Sequence, residues 1–188
     1  MDTVDLIIKS STEFYNDLKV DENGRYRSWK HCYSHFIKAR ESKKVDYDYL
    51  SLQLASYLAS WGMYRGSSFL LQKDYKVHIP VVKEQQLKNQ LSFTLITKIL
   101  MGTLGCVPAY YRCFIAVIQN QKVATENYNI RSIMKLVNFY EKNADRLKPV
   151  REKMEVEGMP YPQMKMIDMG FWQVGFDLDT NKGIKNAH

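Results

Sequence analysis

The sequence predicts an all-α fold, a single globular array of about seven to nine helices. Three observations lead there. Apolar residues recur at spacings of three and four along most of the chain. No stretch sustains the apolar–polar alternation of a half-buried strand. Clusters of glycine and proline at 62–66, 102–108 and 158–162 punctuate the periodic stretches.

Val4, Ile7, Ile8, Phe14 and Leu18 mark a first helix, which ends near the turn signal Asp21-Glu22-Asn23-Gly24. A second spans Tyr26 to Ala39, with Trp29, Tyr33 and Phe36 on one face. Asp46 is the expected N-cap of a third, whose stripe is Leu50, Leu54, Leu58 and Trp61 and whose stop is Gly62. Gly66 opens a short helix over Ser67–Lys73. Tyr75 to Pro80 reads as an extended connector, because the residue before a proline avoids helical geometry. Pro80 then begins a long helix over Val81–Met101, with Leu87, Leu91, Leu95 and Ile99 inward.

Gly102 to Gly105 break that helix, and Pro108 starts the next, Ala109–Ile118. Asn129 caps a helix to about Asn143. After the break at Gly158–Pro162, a last helix runs through Phe176. Residues 1–178 thus read as one helical domain and 179–188 as a flexible polar tail.

Composition bounds the function. At 188 residues and 45% hydrophobic content the chain can bury a substantial core. No apolar run reaches the ~18–20 residues that cross a bilayer, so no membrane partner is expected. The first residues carry Asp2 and Asp5 where a signal peptide needs basic residues. Three cysteines, Cys32, Cys106 and Cys113, suit reduced thiols in a cytoplasm better than a disulfide framework.

The net charge of +7 is unevenly placed. Residues 61–122 hold eight Lys/Arg against two acids, Asp74 and Glu84, and Gln85–Thr125 contain no acid at all. A concentrated positive field points to an anionic partner, nucleic acid or nucleotide. The plain structural alternative is a central helix too buried to hold acids. If the charges serve a polyanion, Lys88, Lys98, Arg112 and Lys122 should share one exposed face near Arg65.

Four places could hold chemistry. In Trp61-Gly-Met-Tyr-Arg65-Gly-Ser-Ser-Phe69, Ser67 and Ser68 stand at a helix start and Arg65 beside them. Backbone N–H groups, hydroxyls and a guanidinium suit an anion, although the glycine and lysine spacing of a P-loop is absent. His31 and His35 are one turn apart, a spacing that can place two ligands on one metal. They lack the following Glu of the zinc-peptidase helix and a third ligand, so neither metal nor cofactor is expected.

Asp168, in Met164-Lys-Met-Ile-Asp-Met-Gly-Phe-Trp172, lies among apolar residues on nearly every side. A carboxylate there needs a cation, and Arg65 or Arg112 is the expected partner. That ion pair either fixes helix register or places a catalytic carboxylate in a cleft.

The fourth place, Met101–Arg112, resembles the helix–hairpin–helix element of DNA-repair proteins, whose hairpin amides hold a phosphate. Gly105-Cys-Val-Pro108 departs from its Gly-hydrophobic-Gly pattern, with proline where the second glycine and its amide stand. Gln119–Ala124, where the glycosylase branch carries its catalytic Asp, holds no acid.

Four segments, Arg25–Tyr33, Trp61–Ser68, Met101–Arg112 and Tyr161–Trp172, together resemble a family of uncharacterised bacterial and phage-borne proteins. The resemblance spans Arg25 to Phe176 and brings no activity with it. Tyr111 stands where that family commonly has an acid, which speaks against catalysis at this position. Three functions follow as expectations. The first is nucleic-acid or nucleotide binding through Arg65, Ser67, Ser68 and Arg112. The second is an enzyme on a phosphorylated or nucleobase substrate, with Asp168 beside Arg65. The third is a helical interaction module, a homodimer among its forms.

Overall fold

The computed structural model describes residues 1–21, 27–64, 74–84 and 92–185. Nine α-helices lie among these residues, and the all-α expectation holds. They are α1 (Thr3–Val20), α2 (Arg27–Glu41), α3 (Tyr47–Ser60), α4 (Ile79–Glu84), α5 (Phe93–Thr103), α6 (Arg112–Asn120), α7 (Ile130–Lys142), α8 (Ala144–Arg151) and α9 (Gln163–Lys185). A 3-10 turn, Tyr75–His78, precedes α4, and two-residue strands β1 (Glu155–Val156) and β2 (Met159–Pro160) pair antiparallel before α9. None of the described helices is long and apolar enough to cross a membrane.

Side-chain caps start several helices, at Asp46 and Asn129 as the sequence predicts and at Asp2 besides. Asp2 accepts from the Asp5 N–H at 2.8 Å, Asp46 from Tyr49 at 3.0 Å and Asn129 from Ser132 at 2.9 Å. Each satisfies one of the amides that a first helical turn leaves without an intrahelical acceptor. At the far end of α3, Gly62 adopts φ +68°, a conformation that is cheap only for glycine, and the helix stops there as expected.

Other boundaries differ, each for a local reason. Tyr75–Pro80 is helical rather than extended. Asp74 accepts from the Lys76 N–H at 3.1 Å and starts the turn. Ile79 is then αR despite preceding Pro80, whose missing N–H costs nothing in the first turn of a helix.

The expected helix over Val81–Met101 is interrupted. Ser92 is extended and caps α5 through the Leu95 N–H at 3.3 Å, so the backbone is not helical across it. Leu87 and Leu91 lie outside the described residues, as does the short helix expected over Ser67–Lys73.

The helix after Pro108 begins at Arg112 rather than Ala109, because Val107–Tyr110 form a buried non-helical segment with its own partners. At the other end of the chain, α9 passes Phe176 and continues to Lys185, where the expectation was a flexible tail from residue 179. The hairpin was missed because its turn is Glu157-Gly158, both at positive φ, instead of a more recognisable Asn-Gly pair.

One domain was expected over 1–178; the chain divides into two compact units. Unit 1 comprises Met1–Glu22 with Cys106–His188. In it α9 packs against α1 and α6, and α8 against α1 and α7. Its core includes Ile7, Phe14, Phe114, Tyr140, Tyr161 and Phe171, all buried. Phe14 meets Trp172 edge-on at 5.5 Å, and Phe114 meets Phe171 at 5.9 Å.

Unit 2 comprises Asn23–Gly105. There α3 packs against α2, α4 and α5, and α2 also touches α5. Trp29, Leu54, Tyr57, Leu58 and Met101 are fully buried. The Trp29 indole donates to the Met101 carbonyl at 2.9 Å, which ties α2 to α5.

Candidate functional site

Asp168 is buried, 3% exposed, on the α9 face that meets the rest of unit 1. Its Oδ1 accepts the backbone N–H of Ala109 at 2.9 Å. The other oxygen lies 3.6 Å from the ammonium of Lys165, itself 3% exposed. The expected burial holds; of the two expected partners, Arg65 lies outside the described residues. Arg112 pairs elsewhere, and the cation comes from Asp168's own helix, three residues earlier. That spacing puts both side chains on one helical face, and Lys165-Met-Ile-Asp168 was legible in the sequence as such. Burial holds the Lys165 pKa below the usual lysine value, opposed by the neighbouring carboxylate.

The Ala109 amide is part of the segment read as a phosphate-binding hairpin. It holds an anion, but an internal one. Tyr110, one residue on, bonds the Ser132 hydroxyl at 2.8 Å, and Ser132 Oγ in turn donates to the Thr125 carbonyl at 2.9 Å. The segment is thus held at successive residues from α9 and from the start of α7. This geometry makes Asp168 a positioning residue for Val107–Tyr110; it borders neither cavity described below.

Arg112 begins α6 with its side chain 82% exposed and bonds Asp179 at 2.8 Å. Cys113 Sγ lies 3.7 Å from the same carboxylate. Arg112, Cys113, Asn120 and Asp179 border a cavity of about 140 Å³. Burial and the Asp179 charge both raise the thiol pKa, so Cys113 stays protonated and weakly nucleophilic.

Unit 2 holds the larger cavity, about 350 Å³. Its walls come from α2 (Phe36, Ala39), α3 (Leu50, Leu54), α4 (Val81, Val82) and α5 (Ile99, Leu100). Arg40 and Lys83, both exposed, are its charged lining residues. Sequence reading passed over both; the signal was a cation directly after an apolar helical face, Phe36 to Arg40 and Val81 to Lys83.

Lys98 does not join the expected basic face. Lys98 is 1% exposed, with its ammonium 3.3 Å from the centre of the Trp61 ring. Arg112 and Lys122 belong to unit 1, while Lys98 belongs to unit 2. Lys88, Arg65, Ser67 and Ser68 lie outside the described residues. As for the histidine pair, His35 turns Nδ1 to the His31 carbonyl at 2.7 Å and Nε2 to the Tyr49 hydroxyl at 3.0 Å, so both ring nitrogens are engaged.

The chain matches no family model, no curated protein and no solved structure. Its function is therefore argued from its own residues.

Proposed function

We propose that the chain binds nucleic acid through the surface of residues 23–105, with a nucleotide as the smaller member of the same anionic class. One observation carries the reading. Those residues hold thirteen Lys/Arg against five Asp/Glu, and the rest of the chain holds fourteen against fifteen. The positive excess therefore lies wholly within one compact unit. Arg40, Lys43, Lys44, Lys76 and Lys83 are exposed there. Two of the five acids have other work: Asp46 caps α3, and Asp48 accepts from the Tyr75 hydroxyl at 2.9 Å.

Arg65, Ser67 and Ser68 fall within the same residues and remain part of the proposed surface. Arg112 belongs to the other unit, where Asp179 holds it, and is not required. A cytoplasmic location suits this partner and the three free thiols.

Fluorescence anisotropy of the full chain with a labelled single-stranded oligonucleotide tests the reading. Log affinity should fall linearly with log salt, by about 0.7 per phosphate neutralised. Lys43→Glu with Lys44→Glu should weaken binding and flatten that slope by about 1.4. Arg65→Ala should weaken it further. Absence of binding at low salt, or an unchanged slope in the double variant, would reject the proposal.

A further inference from the structure

We propose that the larger cavity of unit 2 is a binding site for a free medium-chain carboxylate, with the chain among Leu50, Leu54, Val81, Val82, Ile99 and Leu100 and the head group between Arg40 and Lys83. The cavity volume of about 350 Å³ lies within the range of small-molecule sites. At the ~30 Å³ that a water occupies in the liquid, it holds roughly twelve heavy atoms, the ten carbons and two oxygens of a ten-carbon carboxylate.

Wall chemistry selects the chain. Thr103 is the polar lining residue on α5, and its hydroxyl is already given to the Ile99 carbonyl at 2.9 Å. A nucleobase or sugar placed there would lose its water and find few replacements for those hydrogen bonds beyond the Tyr47 hydroxyl. A hydrocarbon would lose nothing of that kind and would remove its own surface from water.

Rim chemistry selects the head. Arg40 and Lys83 bring two positive charges to the cavity lining, and both are exposed. A guanidinium can grip both oxygens of a carboxylate at once, and the ammonium adds a point charge beside it. The inference does not rest on nucleic-acid binding, because it uses the inside of the cavity and two residues at its mouth.

The test is methyl NMR of the full chain, labelled at Leu, Val and Ile, titrated with decanoate below its micelle concentration. Saturable shifts should be confined to the methyls of Leu54, Val81, Val82, Ile99, Leu100 and their immediate neighbours. Decylamine and decanol should bind more weakly. Arg40→Gln with Lys83→Gln should lower decanoate affinity by about tenfold, the loss of one good charge-assisted contact, and leave decanol binding unchanged.

Ala39→Phe, checked by circular dichroism for retained helix, should abolish binding by filling the cavity. Shifts scattered over both units, equal affinity for decylamine and decanoate, or undiminished binding to a folded Ala39→Phe variant would overturn the assignment. So would capture by anionic phospholipid vesicles without any binding of free decanoate. Decanoate binding should survive Lys43→Glu with Lys44→Glu, so the nucleic-acid reading and this one fail separately.

Discussion

Asp168 and Lys165 meet inside an apolar helix, and that pairing sets what substitution should do. Asp168→Ala removes both the counter-charge of a buried ammonium and the acceptor of the Ala109 amide. The expected cost is ~3–5 kcal/mol, read as a lower urea midpoint at unchanged slope. Asp168→Asn keeps an acceptor for the amide and should cost less. Adding Lys165→Met to Asp168→Asn should recover part of the loss, since the uncompensated charge goes with the lysine. If nothing is recovered, the ammonium is not what the carboxylate serves.

His78 carries the pH dependence. It is buried, stacked on Tyr64, and 2.8 Å from the Tyr64 hydroxyl. Burial lowers its pKa from 6.5. Between that folded value and 6.5 the unfolded chain binds the extra proton, so stability rises with pH across the window. It should therefore fall as pH drops from 6.5 through the folded pKa, and level off on either side. Urea midpoints measured over a pH series should show this step in the native chain and lose it in His78→Gln. A step that persists in the variant would assign it to another group.

Helix contacts in unit 1 depend on two glycines of α9. A Cβ at Gly170 would lie 2.9 Å from Ile7 Cγ2 and 3.2 Å from the Ile7 backbone. At Gly175 it would strike the Cys113 carbonyl oxygen and lie 2.8 Å from the carbonyl carbon. In an open helix Gly→Ala stabilises by about 1 kcal/mol. Here each substitution should instead destabilise, by about 1–3 kcal/mol, with Gly175→Ala the worse because a backbone carbonyl cannot swing aside. Thermal melts of the two variants decide it, and a raised Tm in either would show that the approach of the helices is looser than described.

The boundaries of these elements divide by cause. Asp46 and Asn129 were readable as caps because the capping bond is local, within three residues. The late start of α6 was not readable, because Val107–Tyr110 are buried as a non-helical segment by packing against residues far along the chain, Ser132 and Asp168 among them.

At the scale of the molecule the charge follows the units. Unit 1 is nearly neutral by sequence, and unit 2 carries the excess. Division by thirds of the chain placed that excess in residues 61–122, which cuts across both units and counts the buried Lys98. The oligonucleotide experiment has a control at this scale. Reversing Lys135 and Lys142, exposed on α7 of unit 1, changes net charge as much as reversing Lys43 and Lys44 does. The unit 1 pair should alter affinity much less, since it lies outside the residues proposed to carry the binding surface. Equal losses would mean that net charge alone drives association.

From residue order alone came the helical class, the helix caps Asp46 and Asn129, the stop at Gly62, the apolar faces of α1 and α3, and the burial of Asp168. All of these rest on interactions that close within a turn or two of helix, or on the desolvation of a charge among apolar neighbours, which needs no knowledge of the partner. Tertiary structure decided that Arg112 turns to Asp179 and that the Ala109 amide meets Asp168. It also gathered Arg40 and Lys83, 43 positions apart, at one cavity. Those outcomes depend on which distant groups packing brings within about 3 Å, a distance over which a hydrogen bond forms or is lost and about which linear spacing carries no information.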